Sequence, residues 1–186
     1  MSDSKEEIKT SEVKLEDFFA KMLSVIGKIT DLEITDLLKK SHQTLAVAES
    51  VTGGMVSERL TNISGSSEYF IGSVVSYHNR IKVQELQVPA RLIAKDGVVS
   101  KGVAQAMAEG IRKRFRTDIG IATSGCAGPL PLPPAPVGLV YVALSTVKDS
   151  EVKELHLQGT RREIREKSAQ AALGLLWLHL GGEVIE

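Results

Sequence analysis

The chain has 186 residues with 23 Lys plus Arg against 23 Asp plus Glu. That length suits one domain with a substantial core, and the charge balance argues against a general nucleic-acid binder, which carries a basic excess. A single cysteine, Cys126, excludes an internal disulfide framework and fits a reducing compartment.

The charged opening "MSDSKEEIKTSEVK" has no apolar core of the kind a signal peptide needs. No apolar run approaches the ~20 residues that span a bilayer. A cytoplasmic protein is expected. No His/Cys cluster has metal-ligand spacing, so neither a metal nor another cofactor is expected.

Leu15, Phe18, Phe19, Met22, Leu23 and Ile26 fall at helical spacing and predict an amphipathic helix. Thr30 and Glu33 have capping-box spacing before a short helix carrying Leu32, Leu37 and Leu38. "TLAVA" (44–48) reads as a buried strand, followed by a helix starting near Thr52 with Met55, Val56, Leu60 and Ile63 inside. "IGSVVSY" (71–77) is strand-like, and 79–87 is helical. Pro89 punctuates the chain, and Ser100 caps a long helix running through Phe115. "DIGIATSG" (118–125) is a further strand.

The next stretch, "CAGPLPLPPAPVG", has five prolines between Pro129 and Pro136 and can be neither helix nor central strand. "GLVYVALST" and "EVKELHLQ" form an antiparallel hairpin around "VKDS". A closing helix from about Arg161 to Leu180 buries Ile164, Ala171, Ala172, Leu175 and Leu176 and stops at Gly181-Gly182. Strands alternating with helices predict a three-layer α/β/α fold, its sheet mixed because of the late hairpin. The expected organisation is an N-terminal tail and helical extension over 1–29 and one domain over 30–182.

In α/β sheets, ligands sit beyond the carboxyl ends of strands. Two such ends are built from small residues, "AESVTGG" and "ATSGCAGP". Ser50 has two readings there. It is an N-cap, or it is a nucleophile on a sharp strand-to-helix turn whose free amides suit an oxyanion or phosphate. A nucleophile needs a base, and none of His42, His78, His156 and His179 has a triad-like context. Tyr77, Asn79 and Lys82 of "SYHNRIK" stand together after a strand. A buried lysine loses its proton readily enough to act as base, whereas on a solvated helix face it does no chemistry.

The pieces "TLAVAESVTGG", "GSSEYFIGSVVSYHNRIK", "GVVS" (97–100), "SGCAGP", "PVGLVYVAL" and "GTRREIRE" resemble, in order and spacing, the CinA C-terminal domain family, the nicotinamide-nucleotide amidases. The resemblance implies a metal-free serine amidase that converts nicotinamide mononucleotide to nicotinic acid mononucleotide and ammonia, in pyridine nucleotide salvage and NAD metabolism. It assigns Ser50 as nucleophile, Lys82 as general base and Tyr77 as proton-transfer or positioning group. It places the amides of Thr52, Gly53 and Gly54 around the oxyanion or substrate, with Asn79, Ser124, Gly125 and Arg161 as substrate contacts, Arg161 for the phosphate. It also implies a homo-oligomer, a dimer or higher, with a small-molecule nucleotide as partner and neither nucleic acid nor membrane.

The chain departs from the family pattern at Val51, where cysteine is usual, and at Ser124, where threonine is usual. It departs furthest at "LPLPPAP", where the family has a glycine-rich polar loop. That loop keeps two alternatives open: an amidase for another amide, or a family member that binds a nucleotide or partner without catalysis.

Overall fold

The computed structural model describes residues 31–182. The N-terminal amphipathic helix and the Thr30 cap lie outside them. In chain order the elements are α1 (Asp31–Ser41), β1 (Leu45–Glu49), α2 (Met55–Thr61), a 3-10 turn (Ser66–Glu68), β2 (Phe70–Val75), α3 (Asn79–Leu86), α4 (Ala90–Asp96), α5 (Lys101–Phe115), β3 (Ile119–Gly125), β4 (Leu139–Ser145), β5 (Ser150–His156) and α6 (Arg161–His179). The sheet order is β2-β1-β3-β4-β5. β1 runs parallel to both β2 and β3, while β4 and β5 pair antiparallel, so the sheet is mixed.

The strand alternation sorts side chains by size. Leu45, Val47, Ile119, Ile121, Val140, Val142 and Leu144 face one core, which they share with α1, α2 and α6. Ala46, Ala48, Ala122 and Ala143 face the other, beneath α5. Small residues on that face let α5 lie close to the sheet, where Gly120 sets the limit, and Gly110 lets α3 lie close to α5. A Cβ on Gly120 of β3 would stand 2.2 Å from the Ala108 carbonyl oxygen, and one on Gly110 of α5 would stand 1.9 Å from that of Leu86. Both clashes are of a Cβ with a backbone carbonyl, so no rotamer relieves them. Gly110→Ala is therefore expected to destabilise the fold by about 1–3 kcal/mol despite alanine's better helix propensity. Thermal unfolding checks this, and an unchanged midpoint would contradict it.

Local chemistry fixes the helix ends. Ser100 Oγ accepts from the Val103 amide at the start of α5. Thr160 and Glu163 form a reciprocal capping box on α6, a signature that lies plainly in the sequence. Two elements differ from expectation. α4 is additional: it follows Pro89, which supplies no side-chain cap. α2 starts at Met55 rather than near Thr52, because Gly53 and Gly54 hold left-handed backbone, φ 60° and 106°.

Candidate active site

Parallel pairing brings the carboxyl ends of β1, β2 and β3 to one edge of the sheet. Ser50 follows β1, Ser76 and Tyr77 follow β2, and Ser124 and Gly125 end β3. Beyond them opens a cleft of about 370 Å³ whose wall includes Ser50, Val51, Tyr77, Asn79, Lys82, Gly125, Leu130, Leu132 and Arg161.

At its base, Lys82 Nζ lies 3.0 Å from Ser50 Oγ. The lysine is fully buried, and its amine also donates to the carbonyls of Ser76 at 2.5 Å and Tyr77 at 3.5 Å. Burial lowers its pKa from 10.5 to about 8. α3 accounts for the placement: Lys82 and Leu86, four apart, are its buried residues, so the lysine occupies an inward-facing helical position. The helix starts on His78, whose Nδ1 accepts from the Arg80 amide. That histidine is a cap, and no histidine lines the cleft.

The turn after β1 is held by a network around Glu49, a residue the sequence did not single out, and the anticipated Thr52 is part of it. Glu49 is fully buried. Its Oε2 accepts from Thr52 Oγ1 (2.7 Å) and from the amides of Gly54 (2.8 Å) and Val56 (3.2 Å), and its Oε1 accepts from the amide (2.9 Å) and hydroxyl (2.5 Å) of Ser57. The carboxylate thus caps α2 from the end of the preceding strand. Arg165 of α6 donates to the carbonyls of Val51 (3.1 Å) and Thr52 (2.8 Å). Thr123 Oγ1 lies 2.7 Å from Thr52 Oγ1 and accepts from the Ser50 amide at 3.4 Å. Ser50 caps no helix, since the cap position of α2 falls on Gly54.

The remaining anticipated residues fall into two groups. Thr52, Gly53 and Gly54 stand behind the cleft wall rather than in it: Thr52 is buried, and the Gly54 amide is taken by Glu49. Asn79, Ser124, Gly125 and Arg161 all line the cleft. Ser124 is buried, and its hydroxyl donates to the Val98 carbonyl at 3.0 Å, tying β3 to the loop before α5. Tyr77 is 61 % exposed, and its hydroxyl accepts from Arg161 at 2.8 Å. Arg161 also donates to the Gly128 carbonyl at 2.6 Å. It therefore spans the mouth of the cleft, and no carboxylate pairs with it among the described residues. Among those same residues, no group of three His, Cys, Asp or Glu side chains is placed to hold a metal ion, and no helix is long and apolar enough to cross a membrane.

A buried lysine amine on a serine hydroxyl, at the parallel strand ends of a mixed α/β sheet, is an arrangement that can support lysine-assisted serine chemistry. Residues 28–180 match the family model of the CinA C-terminal domain, and the chain belongs to that family. It is 46 % identical over 150 residues to a CinA-like protein of Dictyoglomus thermophilum, covering 79 % of this chain and 36 % of that protein. It is 53 % identical over 134 residues to a CinA-like protein of Gemmatimonas aurantiaca, covering 72 % and 31 %. The chain thus spans about a third of the length of these curated relatives.

Solved structures of the superfamily share the fold. A competence-damaged protein (CinA) superfamily protein of Klebsiella pneumoniae superposes with a TM-score of 0.79 at 27 % identity, over 82 % of this chain and 96 % of that one. The competence/damage inducible protein CihA of Agrobacterium tumefaciens gives 0.74 at 31 % identity, over 86 % and 95 %.

Proposed function

We propose that the chain is a serine–lysine amidase that hydrolyses the carboxamide of nicotinamide mononucleotide to nicotinic acid mononucleotide and ammonia. The observation that carries this reading is the Lys82 amine, fully buried and 3.0 Å from Ser50 Oγ. Burying an amine is unfavourable, and its pKa stays lowered despite the Ser76 and Tyr77 carbonyls that accept from it; a pure binding module has no use for such a group beside a serine hydroxyl. In a hydrolase it yields a base whose neutral form is within reach of physiological pH, its pKa lowered to about 8.

A neutral amine has two N–H bonds and one lone pair. The carbonyls of Ser76 and Tyr77 accept the N–H bonds, which leaves the lone pair for the Ser50 proton. Ser50 Oγ attacks the amide carbon. The Val51 amide, which follows the nucleophile, lines the cleft and has no acceptor among the described residues, is the donor this mechanism assigns to the oxyanion. As the C–N bond breaks, Lys82 returns the proton to the departing nitrogen and ammonia leaves. Water, deprotonated by the same amine, adds to the ester carbon, and the Ser50–acyl bond breaks to release the carboxylate and regenerate the hydroxyl.

Arg161, oriented by Gly128 and Tyr77 and unpaired with any carboxylate among the described residues, takes the phosphate at the cleft mouth. Asn79 and the Gly125 backbone contact the nucleoside, and Tyr77 serves by orienting Arg161.

The test is ammonia release from nicotinamide mononucleotide by the purified chain. Arg161→Ala is expected to raise KM for the nucleotide about tenfold or more, the worth of a charged hydrogen bond, with a smaller effect on nicotinamide riboside. No release by a folded protein would reject the reading, and equal effects on both substrates would remove Arg161 from the phosphate.

A further inference from the structure

The cleft has a second wall that nucleotide chemistry does not explain. Leu130, Pro131 and Leu132 line the same cavity as Ser50 and Lys82. Leu130 is 79 % exposed and Leu132 48 %, although each is a large aliphatic side chain.

The arm that carries them is fastened at several points. Leu132 and Ala135 exchange both backbone hydrogen bonds, at 3.0 and 2.7 Å, closing a turn over Pro133 and Pro134. Ala135 is buried in the core beneath α5. Cys126 Sγ donates to the Leu130 carbonyl at 3.5 Å, and the Gly128 carbonyl is held by Arg161. The two leucines are thus presented by an ordered support rather than by a free loop end.

The same stretch offers little to a polar group. Proline has no backbone N–H, so between Pro129 and Pro136 only Leu130, Leu132 and Ala135 keep one. Leu132 and Ala135 use theirs on each other. A wall with two exposed leucines and a single uncommitted amide recognises apolar surface, not phosphate or hydroxyl.

We infer that Leu130 and Leu132 form an apolar subsite for a nonpolar alkyl or aryl group carried by the amide substrate away from its carboxamide. The inference rests on the amidase reading for its chemistry and adds a substrate class to it. The occupant is a substrate group rather than a partner protein because the leucines are continuous with the pocket that holds the reacting pair.

The probes are N1-methyl-, N1-butyl- and N1-benzylnicotinamide, which share the reacting amide and the ring charge and differ only in apolar bulk. In the wild-type chain kcat/KM is expected to rise about tenfold from methyl to benzyl, the value of burying roughly half a phenyl group. Leu130→Ser with Leu132→Ser is expected to flatten the series to within about twofold, while the double methionine variant, which keeps apolar bulk, preserves it. Measurable hydrolysis with a flat wild-type series overturns the subsite and leaves the amidase reading standing. So does a flat series accompanied by a lower molecular mass in solution for the serine variant, which would assign the leucines to a second copy of the chain. No hydrolysis of these probes or of the nucleotide by a folded protein overturns both readings.

Discussion

Replacing Lys82 with methionine is expected to lower kcat/KM by at least about 10³-fold while the protein stays folded, and Ser50→Ala is expected to reach the same floor. The double variant should fall no further, because nucleophile and base act on one proton. The pH profile gives the second signature. In the proposed mechanism the base works as the neutral amine, and burial lowers the Lys82 pKa to about 8. Activity should therefore rise with pH and level off above that value.

Stability should follow the same group with a definite sign. The folded-state pKa lies below the unfolded value of 10.5, so between about 8 and 10.5 the unfolded chain holds more protons. The penalty of burying a charged lysine is complete below pH 8 and is relieved as pH rises through that window. The stability of Lys82→Met relative to the wild type should therefore fall by roughly 3 kcal/mol between neutral pH and pH 10.5, on top of a pH-independent cost for the hydrogen bonds the amine makes. Denaturant unfolding of both proteins at pH 7 and pH 10.5 measures the difference. A methionine variant that keeps its activity, or a difference that does not move with pH, would remove Lys82 from the role of base.

The parts of the fold that follow from periodicity were legible in the sequence. The buried strands at 44–48 and 118–125 could be read, and the small residues at their ends marked the cleft, whereas the sorting of their side chains by size onto two faces emerges only in the fold. The proline run was correctly excluded from helix and strand, but its outcome, a fastened arm with two leucines on the cleft, depends on contacts with Ala135, Cys126 and Arg161 that no local pattern encodes.

The burial of Lys82 was half-legible, because it stands four residues before Leu86 on the inward side of α3. A lysine at an apolar position is usually read as an exposed exception, and only the depth of the packing decides. Arg165 had a signal too: it lies one helical turn after Arg161, so both arginines lean toward the same strand ends. The Tyr77–Arg161 bond joins residues 84 apart and had none. The start of α2 was misplaced because its cap comes from Glu49, a residue in the strand before it.

Glu49 is where the largest loss of stability is expected. Its carboxylate is fully buried and accepts five hydrogen bonds: two hydroxyls and the amides of Gly54, Val56 and Ser57. Those three amides open α2 or lead into it and have no other acceptor among the described residues. Glu49→Ala leaves the three amides and the Ser57 hydroxyl buried or half-buried without that acceptor, while Thr52 Oγ1 keeps Thr123 Oγ1, and should cost about 3–5 kcal/mol. Glu49→Gln separates volume from chemistry. A carboxamide fills the same space but turns an NH2 toward donors, either at Ser57 or at Gly54 and Val56, so it should still cost about 1–3 kcal/mol.

Both variants should also lower kcat more than they raise KM. The turn that Glu49 closes carries Ser50, and Glu49 touches nothing in the cleft, so the damage falls on the nucleophile's position rather than on substrate contacts. Urea unfolding and steady-state kinetics on the two variants check both halves. A glutamine variant with wild-type stability and kcat would mean that packing around Thr52 and Thr123, with the Arg165 clamp, is enough to hold the serine. The carboxylate would then be one support among several rather than the one that sets the turn.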